Sequence, residues 1–271
     1  MKATPTNISI TATEKRIRTS SEEVDLHRLY DDAAKDWSRD TPEVRDDLIT
    51  WPFLVRKIRD FASNGIVVDI GCGTGNICRL ASPHVKTAIG LDISQEMISE
   101  AERCSAGVRN VLYVRADMRH LAGAIAPTSA DLVLSIFGYC CLESREELNL
   151  TLRETAHILK PGGRLLLQIP HPCEPLFESK SQWARELDPL GNYFNNGATV
   201  RRRLRMVNGK WVTVGRHHFT LSCYFDEILN VGLAIRQVIE PQAPAQLIEK
   251  HPDLAPEAAR PSSIFIVAQR L

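Results

Sequence analysis

The sequence predicts an α/β protein: a doubly wound, mostly parallel seven-stranded sheet with helices on both faces, a helical N-terminal cover and an inserted lid. Three observations carry that expectation. From Ile66 onward, short apolar runs alternate with helical segments for about 100 residues, the texture of strand–crossover–strand units. At 67–75, VVDIGCGTG sets three glycines at alternate positions directly after a buried strand. Between Pro170 and Thr220 the alternation stops, then resumes with a helix and two further strands.

A chain of 271 residues can bury a full core with a smaller attached lobe. Its 33 basic and 33 acidic residues cancel, so nothing in the total draws the protein to nucleic acid or anionic lipid. The seven cysteines lack CxxC pairing or framework spacing, which argues against structural zinc and a disulfide scaffold. The opening MKATPTNISITATEKRIRT has no apolar signal core, and no run reaches transmembrane length. The expectation is a cytoplasmic protein, monomeric or homodimeric, without a membrane partner.

Taken in order, residues 1–19 are rich in Thr, Ser and Lys and read as loose. Helices follow at 21–37 and 43–61, the second with Pro52 marking a fresh first turn. Strands are expected at 65–70, 86–91, 110–115, 130–136, 163–169, 234–240 and 263–269, and helices at 75–82, 94–105, 143–159 and 223–231. Ser94 caps the helix it opens, and Pro161-Gly162-Gly163 forbids continuation of the helix at 143–159. TVRRRLRMV and KWVTVGR flank Asn208-Gly209, a strong hairpin signal. The long excursion at 241–262 permits the last strand to insert antiparallel. The division expected is 1–62 cover, 63–170 core, 171–221 substrate lid and 222–271 completion of the sheet.

A strand, a glycine turn and a helix form the arrangement in which a ligand lies on helix N-terminal amides. Gly71 permits the tight turn, Gly73 permits close approach to backbone, and Gly75 relieves crowding at the helix start. Asp92 ends AIGLD 21 residues after Gly71, where a carboxylate can hold two ribose hydroxyls. Together these indicate an adenosine-containing ligand. A dinucleotide frame, GxGxxG, would place Asn76 at its last glycine, and GxxxxGK[ST] is absent. A ligand with amino and carboxylate groups but no pyrophosphate accounts better for Asp69, whose charge would attract the ammonium end.

With these residues the chain resembles the class I S-adenosylmethionine-dependent methyltransferases, specifically their small-molecule group. The matching pieces are VVDIGCGTG (67–75), GLDIS (90–94), RADMRHL (115–121), ADLVLSIFGY (130–139) and LKPGGRLLLQIP (159–170), with a weaker echo at 222–241. The resemblance implies S-adenosyl-L-methionine as cofactor. It puts Gly71, Gly73 and Gly75 along the methionine and ribose, Asp92 and Ile93 at the ribose, Asp117 at the adenine amino group and Met118 against the ring. It further puts Ser135, with Ile136 and Phe137, where backbone contacts the cofactor at the edge of the substrate cavity, and Tyr30 and Trp37 over the methionyl end. A plain packed helical face is an equal reading of Tyr30 and Trp37.

The reaction so implied is in-line methyl transfer to an oxygen or nitrogen of a small metabolite, in specialised metabolism. His171, just past a central strand in QIPHP, is the first candidate base. His217 and His218 end the hairpin, and strand alternation allows at most one of them to face a cavity. Tyr224 could position substrate. Alternation puts Arg201, Arg203 and Arg205 on one side, able to meet a carboxylated substrate or, more simply, solvent. SIFGYCC is unlike the Asn/Asp-Pro-Pro-Tyr segment of nucleic-acid and protein amino methyltransferases, and Pro172-Cys173 follows the wrong strand for a cytosine nucleophile. No catalytic metal and no nucleic-acid partner are expected. The competing readings are an RNA or protein methyltransferase, an inactive cofactor-fold binding module, and a dehydrogenase.

Overall fold

The computed structural model describes residues 28, 30, 31, 34, 50–176, 184–186, 190–205, 209, 211–250, 252, 255 and 259–271. Helix α1 (Trp51–Ala62) opens on a proline in its first turn and buries Leu54, Ile58 and Ala62 at helical spacing. Residues 43–49 of the helix expected there lie outside the described set. So does most of the 21–37 segment, in which Arg28, Tyr30, Asp31 and Ala34 are helical.

Strand β1 (Ile66–Ile70), the short helix α2 (Asn76–Ala81), β2 (Thr87–Asp92), α3 (Gln95–Cys104) and β3 (Val111–Arg115) run in succession. The other half follows as β4 (Ala130–Ile136), α4 (Arg145–Ile158) and β5 (Leu159–Pro170). After an inserted segment come α5 (Leu221–Asn230), β9 (Leu233–Ile239), the short helix α6 (Ala245–Lys250) and β10 (Ser263–Arg270). The seven strands lie in the order β3-β2-β1-β4-β5-β10-β9, and β10 is antiparallel to both neighbours. The expected doubly wound sheet is thus present, and the last strand inserts in the sense that its long connection allowed.

Alternation of side chains divides the core in two. Val67, Leu132 and Leu166 face α1, α2 and α3, whereas Val68, Val133 and Leu167 face α4 and α5. Ser94, Ser144 and Thr220 cap α3, α4 and α5, each side chain accepting from the amide three residues on. One detail differs from expectation. β5 begins at Leu159 rather than 163, because Leu159 pairs with Ala130 and Arg164 with Leu132, leaving Lys160–Gly163 bulged opposite Asp131. The Lys160 ammonium holds the Asp131 carboxylate at 2.7 Å across that bulge.

The insertion forms its own three-stranded antiparallel sheet, β6-β7-β8: Ala184–Glu186, Ala198–Arg205 and Trp211–His218. The β7–β8 hairpin follows the Asn208-Gly209 signal; β6 is too short to show a pattern in sequence. On β8, Val212, Val214, Arg216 and His218 are buried, so this face looks inward. On β7 the buried Val200 pairs with Arg216, and Arg202 with Val214. Arg202 therefore shares the inward face, while Arg203 is exposed beside the Trp211 ring at 5.7 Å.

Candidate active site

Reversal of strand order between β1 and β4 opens a crevice at their carboxyl ends, where open parallel sheets bind ligands. The loops that leave the two strands meet there backbone to backbone. A Cβ at Gly71 would sit 3.1 Å from the Gly138 Cα, and one at Gly138 would meet the Ile70 carbonyl at 2.8 Å. The buried Ser135 hydroxyl donates to that same carbonyl at 2.8 Å, so its side chain ties β4 to β1 and is turned from the crevice.

The three motif glycines prove to have different reasons. All have positive φ, at +73°, +53° and +79° for Gly71, Gly73 and Gly75. Gly71 is required by its contact with Gly138. At Gly75 an added Cβ would lie 2.2 Å from the Tyr113 hydroxyl, which donates to the Gly75 carbonyl at 3.2 Å and bonds Ser105 at 2.8 Å. Gly75 thus makes room for a tyrosine of β3. Only Gly73 faces open space, with nothing nearer its Cβ position than the Met97 sulfur at 4.0 Å.

Asp92 closes the far side of the turn: its Oδ2 accepts from the Gly73 amide at 2.9 Å and its Oδ1 from Ser94 at 3.0 Å. Beneath, Asp69 is buried with Oδ1 lacking a partner, while Oδ2 takes a weak bond from the Cys78 thiol at 3.8 Å. Burial, then the nearby Asp92 charge, push its pKa up to about 7, against the opposing Cys78 bond. The buried Thr74 hydroxyl is also without a partner. A turn with one open glycine and two orphaned polar atoms fits a ligand having both cationic and anionic groups.

Asp117 lies after β3, where both carboxylate oxygens receive the Arg119 guanidinium at 2.7 to 3.1 Å. Burial alone would raise its pKa, but these bonds hold it below the ordinary carboxylate range. Arg119 also reaches Glu147 on α4. Sequence reading missed this brace, since nothing in RADMRHL signals the distant partner. Met118 is half-buried with its methyl 3.8 Å from the Gly71 Cβ position, so it does lie against the glycine turn. Ile93 is half-buried, and its carbonyl accepts from Arg115 at 3.0 Å. The Tyr30 hydroxyl donates to the Gly215 carbonyl of β8 at 3.2 Å and receives the Cys141 thiol at 3.8 Å. It bridges the inserted sheet and the loop after β4. Trp37 lies outside the described residues.

A small cleft of about 10 Å³, partly open to solvent, adjoins that loop. Its walls include Cys140, His171, Arg216, His217, His218 and Tyr224, which brings all three candidate histidines together. Their hydrogen bonds separate them. His171 is the most constrained: Nδ1 accepts from the Cys173 amide at 3.2 Å and Nε2 faces the Glu240 carboxylate at 2.9 Å, which engages both nitrogens. His217, on the outer face of β8, directs Nδ1 to the Gly197 carbonyl at 3.1 Å. His218, on the inner face, places Nε2 at 2.7 Å from the Tyr193 carbonyl. A carbonyl only accepts, so Nε2 carries the proton and Nδ1 keeps its lone pair. Burial, opposed by the Tyr193 bond and aided by Arg216, lowers the pKa of His218 and favours the neutral ring.

Glu174, in the turn after β5, receives Arg202 at 3.2 Å and also Arg216, joining the inserted sheet to the core. Among the described residues no cluster of three or more potential ligands could hold a metal ion. No described helix is long and apolar enough to cross a membrane.

The strand order, the antiparallel seventh strand and the glycine turn with its acidic partner define a class I methyltransferase architecture. Residues 67–163 match the family described as "Methyltransferase domain". The chain is 26% identical to the S-adenosylmethionine-dependent methyltransferase of Mesorhizobium loti, with a TM-score of 0.64 over 81% of this chain and 97% of that one. It is 29% identical over 133 residues to the demethylmenaquinone methyltransferase of Staphylococcus saprophyticus, covering 48% of this chain and 55% of the relative. It is 27% identical over 186 residues to the mouse tRNA (carboxymethyluridine(34)-5-O)-methyltransferase ALKBH8, covering 68% of this chain and 25% of the relative. The chain spans about half the length, or less, of the curated relatives it matches first. These likenesses make the core an S-adenosylmethionine-dependent methyltransferase domain, and S-adenosylmethionine its cofactor.

Proposed function

We propose that the protein transfers a methyl group from S-adenosylmethionine to an oxygen or nitrogen of a small organic metabolite bound in the cleft beneath the inserted sheet. The observation that carries this reading is the adjacency of two spaces: the open turn at Gly73 and the cleft walled by Cys140 and His218, joined by the loop after β4. The cofactor supplies an electrophilic methyl on a sulfonium. Asp92 receives the ribose hydroxyls, Asp69 and Thr74 face the amino-acid end, and Met118 packs on the base. The insertion at 171–221, with its sheet, acts as a lid over the cleft, excluding water while Tyr30 closes the methionyl side.

His218 is the preferred base. It is neutral, its Nε2 proton is fixed by Tyr193, and its Nδ1 lone pair can accept a hydroxyl proton as the carbon–oxygen bond forms. An amine acceptor attacking as the free base would need only alignment. Titration with S-adenosylhomocysteine, followed by methyl transfer from labelled cofactor to phenols, carboxylic acids and amines, tests the reading. His218→Gln, whose amide can still donate to Tyr193, is expected to lower kcat on a hydroxyl acceptor by roughly 100-fold or more. S-adenosylhomocysteine affinity should stay within about twofold. Equal activity of parent and variant would remove His218 as the base.

The likeness to a tRNA methyltransferase favours a second reading, methylation of RNA. The balanced charge of the chain weighs against it. Transfer of label to total tRNA, and none to small acceptors, would establish it.

A further inference from the structure

Cys140 and Cys141 stand side by side in a 3₁₀ turn after β4, and the proposed chemistry uses neither thiol. Consecutive side chains of a turn normally diverge, yet these two converge on one acceptor. The Cys140 sulfur lies 3.0 Å and the Cys141 sulfur 3.9 Å from the Phe137 carbonyl oxygen. Phe137 itself has φ +59°, an uncommon backbone for an aromatic residue, which fixes the turn. Cys140 lines the cleft, so a small solute that enters the cleft meets its sulfur, while Cys141 touches the Tyr30 hydroxyl.

The geometry points to a dithiol modification site: Cys140 and Cys141 react with hydrogen peroxide and close reversibly to a vicinal disulfide. The neighbouring Cys141 thiol first, and then the Arg216 charge, hold the Cys140 thiol low against its burial. Cys140 is thus the thiolate that attacks. Its sulfur takes the terminal oxygen of the peroxide, the O–O bond breaks, and protonation of the leaving hydroxide releases water. The Cys141 sulfur then displaces hydroxyl from the Cys140 sulfenic acid; the S–S bond forms, the S–O bond breaks and a second water departs. Two thiols lose two electrons and the peroxide gains them. Adjacent Cα atoms stand about 3.8 Å apart, short of the usual span of a disulfide. The bond is therefore expected to yield readily to dithiothreitol.

This inference stands apart from the identity of the acceptor, and its readout is mass rather than turnover. The full chain is titrated with hydrogen peroxide, denatured, blocked with N-ethylmaleimide and digested. At substoichiometric loss of the half-buried Cys104 and Cys173 thiols, the peptide holding Cys140 and Cys141 should be 2 Da lighter and unblocked. Dithiothreitol before blocking should return both sites to full labelling. In Cys141→Ser the same peptide should instead trap dimedone at Cys140. In Cys140→Ser, Cys141 should resist peroxide at least tenfold longer than Cys140 does in the parent. Both variants are first checked for the parent's far-ultraviolet circular dichroism and cooperative melting. Full N-ethylmaleimide labelling of both residues after peroxide has consumed Cys104 and Cys173 overturns the proposal. So does an irreversible sulfinic product in the parent.

Discussion

Glycines at the mouth of β1 look alike in sequence and differ in what they serve. Gly75→Ala forces a methyl onto the Tyr113 hydroxyl at a backbone angle of +79°, so it should destabilise the fold by about 2 kcal/mol, read by urea melting. Gly73→Ala meets no such neighbour; its backbone penalty is about 1 kcal/mol. Its larger effect should be on S-adenosylhomocysteine affinity, because the methyl enters the one open position. A larger stability loss at Gly73 than at Gly75 would reverse that assignment. Asp69 adds a pH signature. Its folded-state pKa, about 7, exceeds the unfolded value of 3.8, so the folded chain holds the proton more tightly. Its contribution to stability therefore falls as pH rises from about 4 to about 7. Asp69→Asn should melt at the parent's temperature near pH 4, increasingly above it up to pH 7, and by a constant margin beyond. A margin that ignores pH would contradict the buried, uncompensated carboxylate. None of this was legible from residue types. The motif announces a ligand, but Tyr113 and Gly138 come from other strands.

Among elements, strands and helices of the core were legible because each carries its own signal: buried alternation on β1 and β4, Ser or Thr caps on α3, α4 and α5. The inserted sheet was legible only as a hairpin. Its Arg201-Arg203-Arg205 face attracts attention by charge, yet the functional connection runs through the intervening Arg202 and through Arg216, which share Glu174. No local rule marks which face of a strand is inward when both are polar. Glu174→Gln removes the carboxylate between two guanidiniums on that face and should cost about 3 kcal/mol. The measurable outcome is faster amide exchange across β7 and β8 than across β1 and β4, since Glu174 anchors the insertion. Uniform acceleration over both sheets would mean that the salt links support the core instead. The histidines teach the same lesson. His171 ranked first by position, but Glu240 and Cys173, distant or backbone partners, decide what its ring can do.

At the scale of the molecule, the doubly wound sheet was legible and the long connection before β10 permitted its antiparallel insertion, but the strand order itself is a finding of the structure. What lay beyond reach was how the two loops at the crevice relate. Gly71 and Gly138 touch with no side chain to cushion them, Ser135 ties the same strand ends together, and Cys140 begins the cleft wall two residues on. Neither loop can therefore shift independently: a nucleoside settling on the first would press the second, and an occupant of the second would be felt in the seat of the nucleoside. Order of addition, far from being incidental to such a protein, is written into the meeting of two bare α-carbons.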